Sequence, residues 1–127
     1  MGKEIIETSK APEPIGPYSQ AVKVGNLVFV SGQVAIDPKT GKLHSGSLKE
    51  QVEIIMRNIG NILKVAGGGL EDIVQTTIYL SDISKFSEVN KAYASFFQRD
   101  YPARVTVGVS SLPGGAEVEI AVIAFIP

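Results

Sequence analysis

Arg104 and Glu119 are the residues of this chain whose types and spacing best suit chemistry, an arginine in one predicted strand and a carboxylate in the next. A guanidinium offers a planar anion two parallel hydrogen bonds, where a lysine offers a point charge. A carboxylate can hold a water, take its proton and return one to a departing group. From Ala103 the pattern alternates: Ala103, Val105, Val107 and Val109 point one way, and Arg104, Thr106, Gly108 and Ser110 the other, the two-residue period of a strand. Glu119 falls in the run Ala116 to Ile126, where only it and Glu117 interrupt Val, Ile, Ala and Phe. A strand apolar on both faces is covered on both sides, so a carboxylate there is costly unless something pairs with it. Glu117, nearer the turn at Leu112-Pro113-Gly114-Gly115, reaches water more easily. Each residue has a plainer reading as well, since a strand arginine commonly serves an ion pair or a solvent edge.

The elements that must position these side chains can be followed from the start. Glu4 to Thr8 reads as a first strand, and the three prolines among Pro12, Pro14 and Pro17 force a loop that delivers Tyr18. Gln20 to Val24 and Leu27 to Val34 read as strands joined by a tight turn at Gly25-Asn26. Asp37-Pro38-Lys39-Thr40-Gly41 is a surface turn. Ser47 caps a first helix, with Glu50 completing a capping box, and Val52, Ile55, Met56, Ile59, Ile62, Leu63 and Ala66 form its core face. Gly67-Gly68-Gly69 ends it, and no Gly-Lys-Ser/Thr follows, so a phosphate loop is not indicated. Ile73 to Leu80 is a strand; Ser81 or Ser84 starts a second helix with Phe86, Val89, Tyr93 and Phe96/Phe97 on one face and Asn90 at its edge. The order β-β-β-α-β-α-β-β predicts one α+β domain over residues 1–127 with a mixed sheet. Two helices can cover only one face of such a sheet, yet the late strands are apolar on both, so another copy of the chain is the simplest cover for the second.

Composition narrows the function classes. A net charge of -1 gives no bulk attraction to nucleic acid or an anionic membrane, and no basic run or aromatic platform offsets that. The absence of cysteine excludes disulfides and thiol chemistry. His44 is the only histidine and no cysteine accompanies it, so a zinc site is not indicated and that residue has no assigned role. No signal-peptide core and no apolar run of the ~20 residues needed to span a bilayer is present, so a cytoplasmic location is expected.

Several motifs match a known family together. Pro102-Ala103-Arg104, an apolar residue after Thr106, Leu112-Pro113, and Val118-Glu119-Ile120 closely resemble the signature of the Rid/YjgF family, the reactive-intermediate deaminases. Ile15 to Ala21 (I-G-P-Y-S-Q-A), Phe29 to Gln33 (F-V-S-G-Q), Asp37 to Gly41 (D-P-K-T-G), and Val89-Asn90 before A-Y-A-S-F-F extend the resemblance over essentially the whole chain. It implies a chorismate-mutase-like fold, two helices on one face of the sheet, and a homotrimer with sites in the clefts between subunits.

The same resemblance implies cofactor-independent hydrolysis of 2-imino acids and their enamine tautomers, such as 2-iminopropanoate, 2-aminoacrylate and 2-iminobutanoate, to 2-keto acids and ammonia. Arg104 would hold the substrate carboxylate and Glu119 would activate water. Tyr18 would close the pocket, Ser31 and Gly32 would line it, Asn90 would contribute an amide, and the Thr106 backbone would help bind the carboxylate or water. Many relatives carry cysteine at the position of Thr106, so no thiol role transfers. No metal or organic cofactor is implied. The alternatives are a sensor or chaperone-like module that binds small carboxylates without turnover, and the ribonuclease or translation inhibition attributed to some relatives, against which the charge balance argues.

Overall fold

The structure, a computed structural model, describes residues 2–127. Three strands open the chain: β1 (Glu4–Ile6), β2 (Ala21–Val24) and β3 (Leu27–Gln33), paired antiparallel in sequence order. Gly25 takes φ 59° in the β2–β3 turn, a left-handed conformation that glycine adopts without steric cost. β1 stops at Ile6 rather than Thr8, because the Thr8 N–H is spent on the Gln20 side chain. Gln20 likewise lies just outside β2.

The first helix, α1 (Leu48–Val65), forms as its cap predicts. Ser47 Oγ accepts from Glu50 N at 3.1 Å, and Ser47 N donates to Glu50 Oε1 at 3.2 Å. Such a cap contributes about 1 kcal/mol. Val52, Ile55, Met56, Ile59, Ile62 and Leu63 are all 0% exposed, so the apolar stripe is the centre of the core. β4 (Ile73–Leu80) follows, and then a correction to the predicted second helix. Asp82 Oδ1 accepts from both Ser84 N and Ser84 Oγ, which winds Ile83–Lys85 into a 3-10 turn. α2 proper begins only at Phe86 and ends at Ala94. Phe96 and Phe97 lie past that end but still pack on the core. The chain closes with β5 (Ala103–Gly108) and β6 (Val118–Phe125), the latter shorter at each end than the apolar run.

The strands form one sheet in the order β1-β2-β3-β6-β4-β5. β6 pairs antiparallel with β3 and β4, and β4 runs parallel to β5. The last strand therefore occupies the slot between β3 and β4, which themselves point the same way. α1 connects β3 to β4 and α2 connects β4 to β5, and both helices pack on one face. On β6, Val118, Ile120, Val122 and Ala124 are buried against them, while Glu119, Ala121, Ile123 and Phe125 point to the other face. Among the described residues only the loop around Tyr18 approaches that second face, and most of it is bare. Phe29, Val105 and Phe125 stay 43%, 49% and 46% exposed on it, too large an apolar surface to be incidental.

Candidate functional site

Arg104 leaves β5 on the helix-covered face and reaches under α2. Its guanidinium carbon lies 5.5 Å from the Phe86 ring centre and 5.3 Å from that of Tyr93, a cation held between two π faces. Tyr93 is itself fixed: it is buried, and its hydroxyl donates to Thr76 Oγ1 at 2.8 Å on β4. Burial pushes the Tyr93 phenol up, partly offset by the Thr76 hydrogen bond and by the Arg104 charge. No carboxylate pairs with Arg104 among the described residues, so its N–H edges remain free for an incoming anion. A cleft of about 290 Å³ at this spot is lined by Asn90, Tyr93, Tyr101, Pro102 and Arg104. Two residues along β5 on the same face, Thr106 Oγ1 is buried with no hydrogen-bond partner. An orphaned buried hydroxyl costs about 1–3 kcal/mol, a cost relieved when a ligand or water reaches it.

Glu119 stands on the other face of the sheet. Its Cα pairs with Tyr79, and Tyr79 pairs with Val107, whereas Arg104 pairs with Thr76. Val107 and Arg104 are three positions apart, so their side chains point to opposite faces. Along β4 the offset from Thr76 to Tyr79 amounts to roughly 10 Å at strand rise. Room for the carboxylate comes from β3, where three steps from Val30 to Gln33 span only two on β6 from Val122 to Ile120. This bulge sets Gly32 against Glu119, and a Cβ at Gly32 would overlap Glu119 Oε2. Burial raises the pKa of Glu119, and no cation among the described residues lowers it. A cleft of about 160 Å³ joins Glu119 to Tyr18, Gly32, Glu13 and Pro113.

The predicted residues thus fall into two groups, Arg104 with Asn90 and Thr106 on one face, and Glu119 with Tyr18 and Gly32 on the other. Ser31 belongs to neither cleft lining. Its hydroxyl donates to Ser19 O at 2.6 Å, which ties β3 to the loop carrying Tyr18. Tyr18 is half exposed, and its hydroxyl accepts from Ile15 N at 3.3 Å, bracing the loop on itself. Among the described residues no three His, Cys, Asp or Glu side chains gather as a metal site requires, and His44 lies 3.1 Å from Glu50 at the α1 cap. Glu117, read as reaching water, is held by Gln51 Nε2 at 2.8 Å and Lys85 Nζ at 3.5 Å. No helix among the described residues is long and apolar enough to cross a membrane.

Three residues escape a sequence reading. Phe86 and Tyr93 read as core stripe, and only the structure shows Arg104 between them. Gln20 has no chemical signature, yet it is buried and makes four hydrogen bonds: Oε1 accepts from Thr8 N at 2.7 Å, and Nε2 donates to Thr8 O, Ala11 O and Pro12 O. One amide therefore holds the whole approach to Tyr18. Gln20→Leu keeps the volume and leaves those backbone groups unpartnered, so it should destabilise the loop by on the order of 1–3 kcal/mol. Hydrogen exchange of the amides from Thr8 to Tyr18 reads this directly. Faster exchange confined to that segment is expected, and unchanged protection would mean that other contacts order the loop.

Comparison with known proteins shows matches in sequence and in fold. A family model described as Endoribonuclease L-PSP matches residues 8–126. A RutC family protein of Pyrococcus abyssi is 50% identical over 125 residues, 98% of this chain and 98% of its own. The 2-iminobutanoate/2-iminopropanoate deaminase of Mus musculus is 44% identical over 122 residues, 96% of this chain and 90% of its own. Among solved structures, RidA from an Antarctic Psychrobacter gives a TM-score of 0.94 at 45% identity, covering 97% of this chain and 99% of that one. With sequence and fold matching over nearly its full length, the chain belongs to the YjgF/Rid family, which the Endoribonuclease L-PSP description and the RutC name also cover.

Proposed function

We propose that this protein hydrolyses small 2-imino acids and their enamine tautomers to 2-keto acids and ammonia, without a cofactor, as a homotrimer. In it the Arg104 side of one copy meets the Glu119 side of the next. The observation that carries the reading is the division of the site. A free guanidinium and a carboxylate with a burial-raised pKa lie on opposite faces of one sheet, and the face bearing Glu119 is apolar and bare. A second copy packed there would cover the apolar surface and bring the complementary half. The name of the mouse relative, at 44% identity, supports the substrate class.

In the complete site, Arg104 would hold the substrate carboxylate by two parallel hydrogen bonds, steadied by Phe86 and Tyr93. Thr106 would direct its unpartnered hydroxyl at the same anion or at the water. Glu119 would take a proton from water as the water oxygen bonds to the C=N carbon and hand that proton to the imine nitrogen, giving a carbinolamine. Glu119 would then take the carbinolamine hydroxyl proton as the carbonyl forms and return it to the amine, so that the C–N bond breaks and ammonia departs. Water and imine are consumed, ketone and ammonia released, and Glu119 ends as it began. Tyr18 and Asn90 would close the two sides of the pocket.

The test couples an amino-acid oxidase, which makes imines in place, to trapping by semicarbazide. Wild-type protein should suppress the semicarbazone in proportion to its concentration. No suppression across several amino acids, with a 2-keto acid still binding on titration, would convert the site into a carboxylate receptor and end the catalytic reading.

A further inference from the structure

Away from both half-sites, a cleft of about 560 Å³ opens beside α1, larger than those at Arg104 and Glu119. One wall is α1 itself, through Ile54, Arg57, Asn58 and Asn61. The second is the Asp37–Gly41 turn, a motif for which the proposed reaction has no use, and the third is the Ser9–Lys10 segment. None of these residues lies on the bare face of the sheet.

The walls are fixed in place. Asn58, 2% exposed, donates Nδ2 to Ile36 O at 2.9 Å, at the foot of the turn. Asn61 Nδ2 donates to Lys10 O at 2.9 Å, which ties the third wall to the same helix. The turn closes on itself, with Lys39 N donating to Asp37 Oδ1 and Gly41 N to Asp37 O, each at 2.8 Å. The cleft is therefore formed before any ligand arrives, which removes much of the ordering cost of binding.

Its charge is one-sided. Lys10, Lys39 and Arg57 line it against the single carboxylate of Asp37, one oxygen of which already accepts from Lys39 N. The ion pairs among the described residues, His44–Glu50 and Lys85–Glu117, use none of these three cations. On a chain of net charge -1, this gathers three cations around one carboxylate, a local excess of positive charge. Like charges held together in a recess raise the local concentration of counter-ions of the opposite sign.

We propose that this cleft binds a small oxyanion carrying two or more charges, with Arg57 as the bidentate donor, Lys10 and Lys39 as point charges, and Ile54 and Pro38 against the ligand's carbon portion. A phosphate ester and a polycarboxylate share that chemistry. The site is independent of the reaction proposed above, and its occupant need not be a substrate.

Isothermal titration of the assembled protein with pyrophosphate and, separately, with citrate tests this, with sodium chloride holding ionic strength constant. Saturable binding at one site per chain is expected. Loss of two charge-assisted contacts in Lys39→Gln/Arg57→Gln should weaken it by about tenfold or more, whereas Arg104→Ala should bind as wild type does. Both side chains are exposed, so the double variant should fold, and circular dichroism confirms it. Preference for pyrophosphate assigns a phosphorylated ligand, and preference for citrate a carboxylated one. No saturable heat with either anion overturns the proposal. So does binding unchanged in the double variant, or binding lost in Arg104→Ala, which would place the anion at the proposed reaction site.

Discussion

Glu119→Gln should lower turnover of a 2-imino acid by about 10²–10⁴-fold while the chain remains folded and assembled, the usual loss when a positioned acid–base group is removed. The amide is nearly isosteric, so the contact with Gly32 and the β3 bulge survives. What goes is the ability to take and return a proton. Stability should move the other way, and the sign follows from burial. A carboxyl whose folded pKa is raised favours the protonated form in the native state, so native stability falls as pH rises from the ordinary carboxylate range through the raised value. Glutamine has no such titration. The gain in melting temperature of Glu119→Gln over wild type should therefore be larger at about pH 7 than at about pH 4. Oxidase-coupled assays and thermal melts at the two pH values measure both effects. Retained activity would move the base elsewhere, and a gain independent of pH would mean that the Glu119 anion is compensated in the assembly, as a neighbour's Arg104 would do.

Arg104→Ala should be as damaging, by about 10²–10³-fold in kcat/KM, because it removes both charge and orientation from the substrate carboxylate. Arg104→Lys should recover only part of this, since an ammonium keeps the charge but lacks the planar fork. The sharper measurement mixes the two inactive variants. If each site takes Arg104 from one copy and Glu119 from its neighbour, subunits carrying Arg104→Ala and Glu119→Gln, co-refolded in equal amounts, form some sites with both wild-type residues. Random assembly gives about one quarter of wild-type activity. Sites confined to single chains would give none. Complementation at that level is expected, and its absence from well-mixed trimers would remove the shared site.

Much of this was legible in the chain because the signals were local. The α1 cap needed only Ser47 and Glu50, the hairpin only Gly25-Asn26, and β6 announced itself as an apolar run broken by two glutamates. Alternation along Pro102–Ser110 separated Arg104 and Thr106 from the valines correctly. What alternation within one strand cannot say is how its faces relate to those of another. That depends on register, and β4 stands between β5 and β6 to set it. Hence the opposite placement of Arg104 and Glu119 was not readable. The bulge at β3 and the hold of Gln20 on four backbone groups were hidden for the same reason, since both arise from partners distant in sequence. Ser31 looked like a pocket residue from its motif, but its hydroxyl is committed to Ser19 O.

The position of β6 bears on how the protein comes into being. Of the described strands, the one that fills the middle of the sheet comes last along the chain, and until it is made, β3 and β4 have no neighbour between them. An emerging chain can wind α1 and form the β2–β3 hairpin, but it exposes two unpaired strand edges around an empty slot, a template for misassociation. Its central pairings join residues far apart in sequence, which slows folding. Glu119 arrives with that same strand. Chains truncated before Val118 would therefore lose the centre of the sheet and the Glu119 carboxylate together.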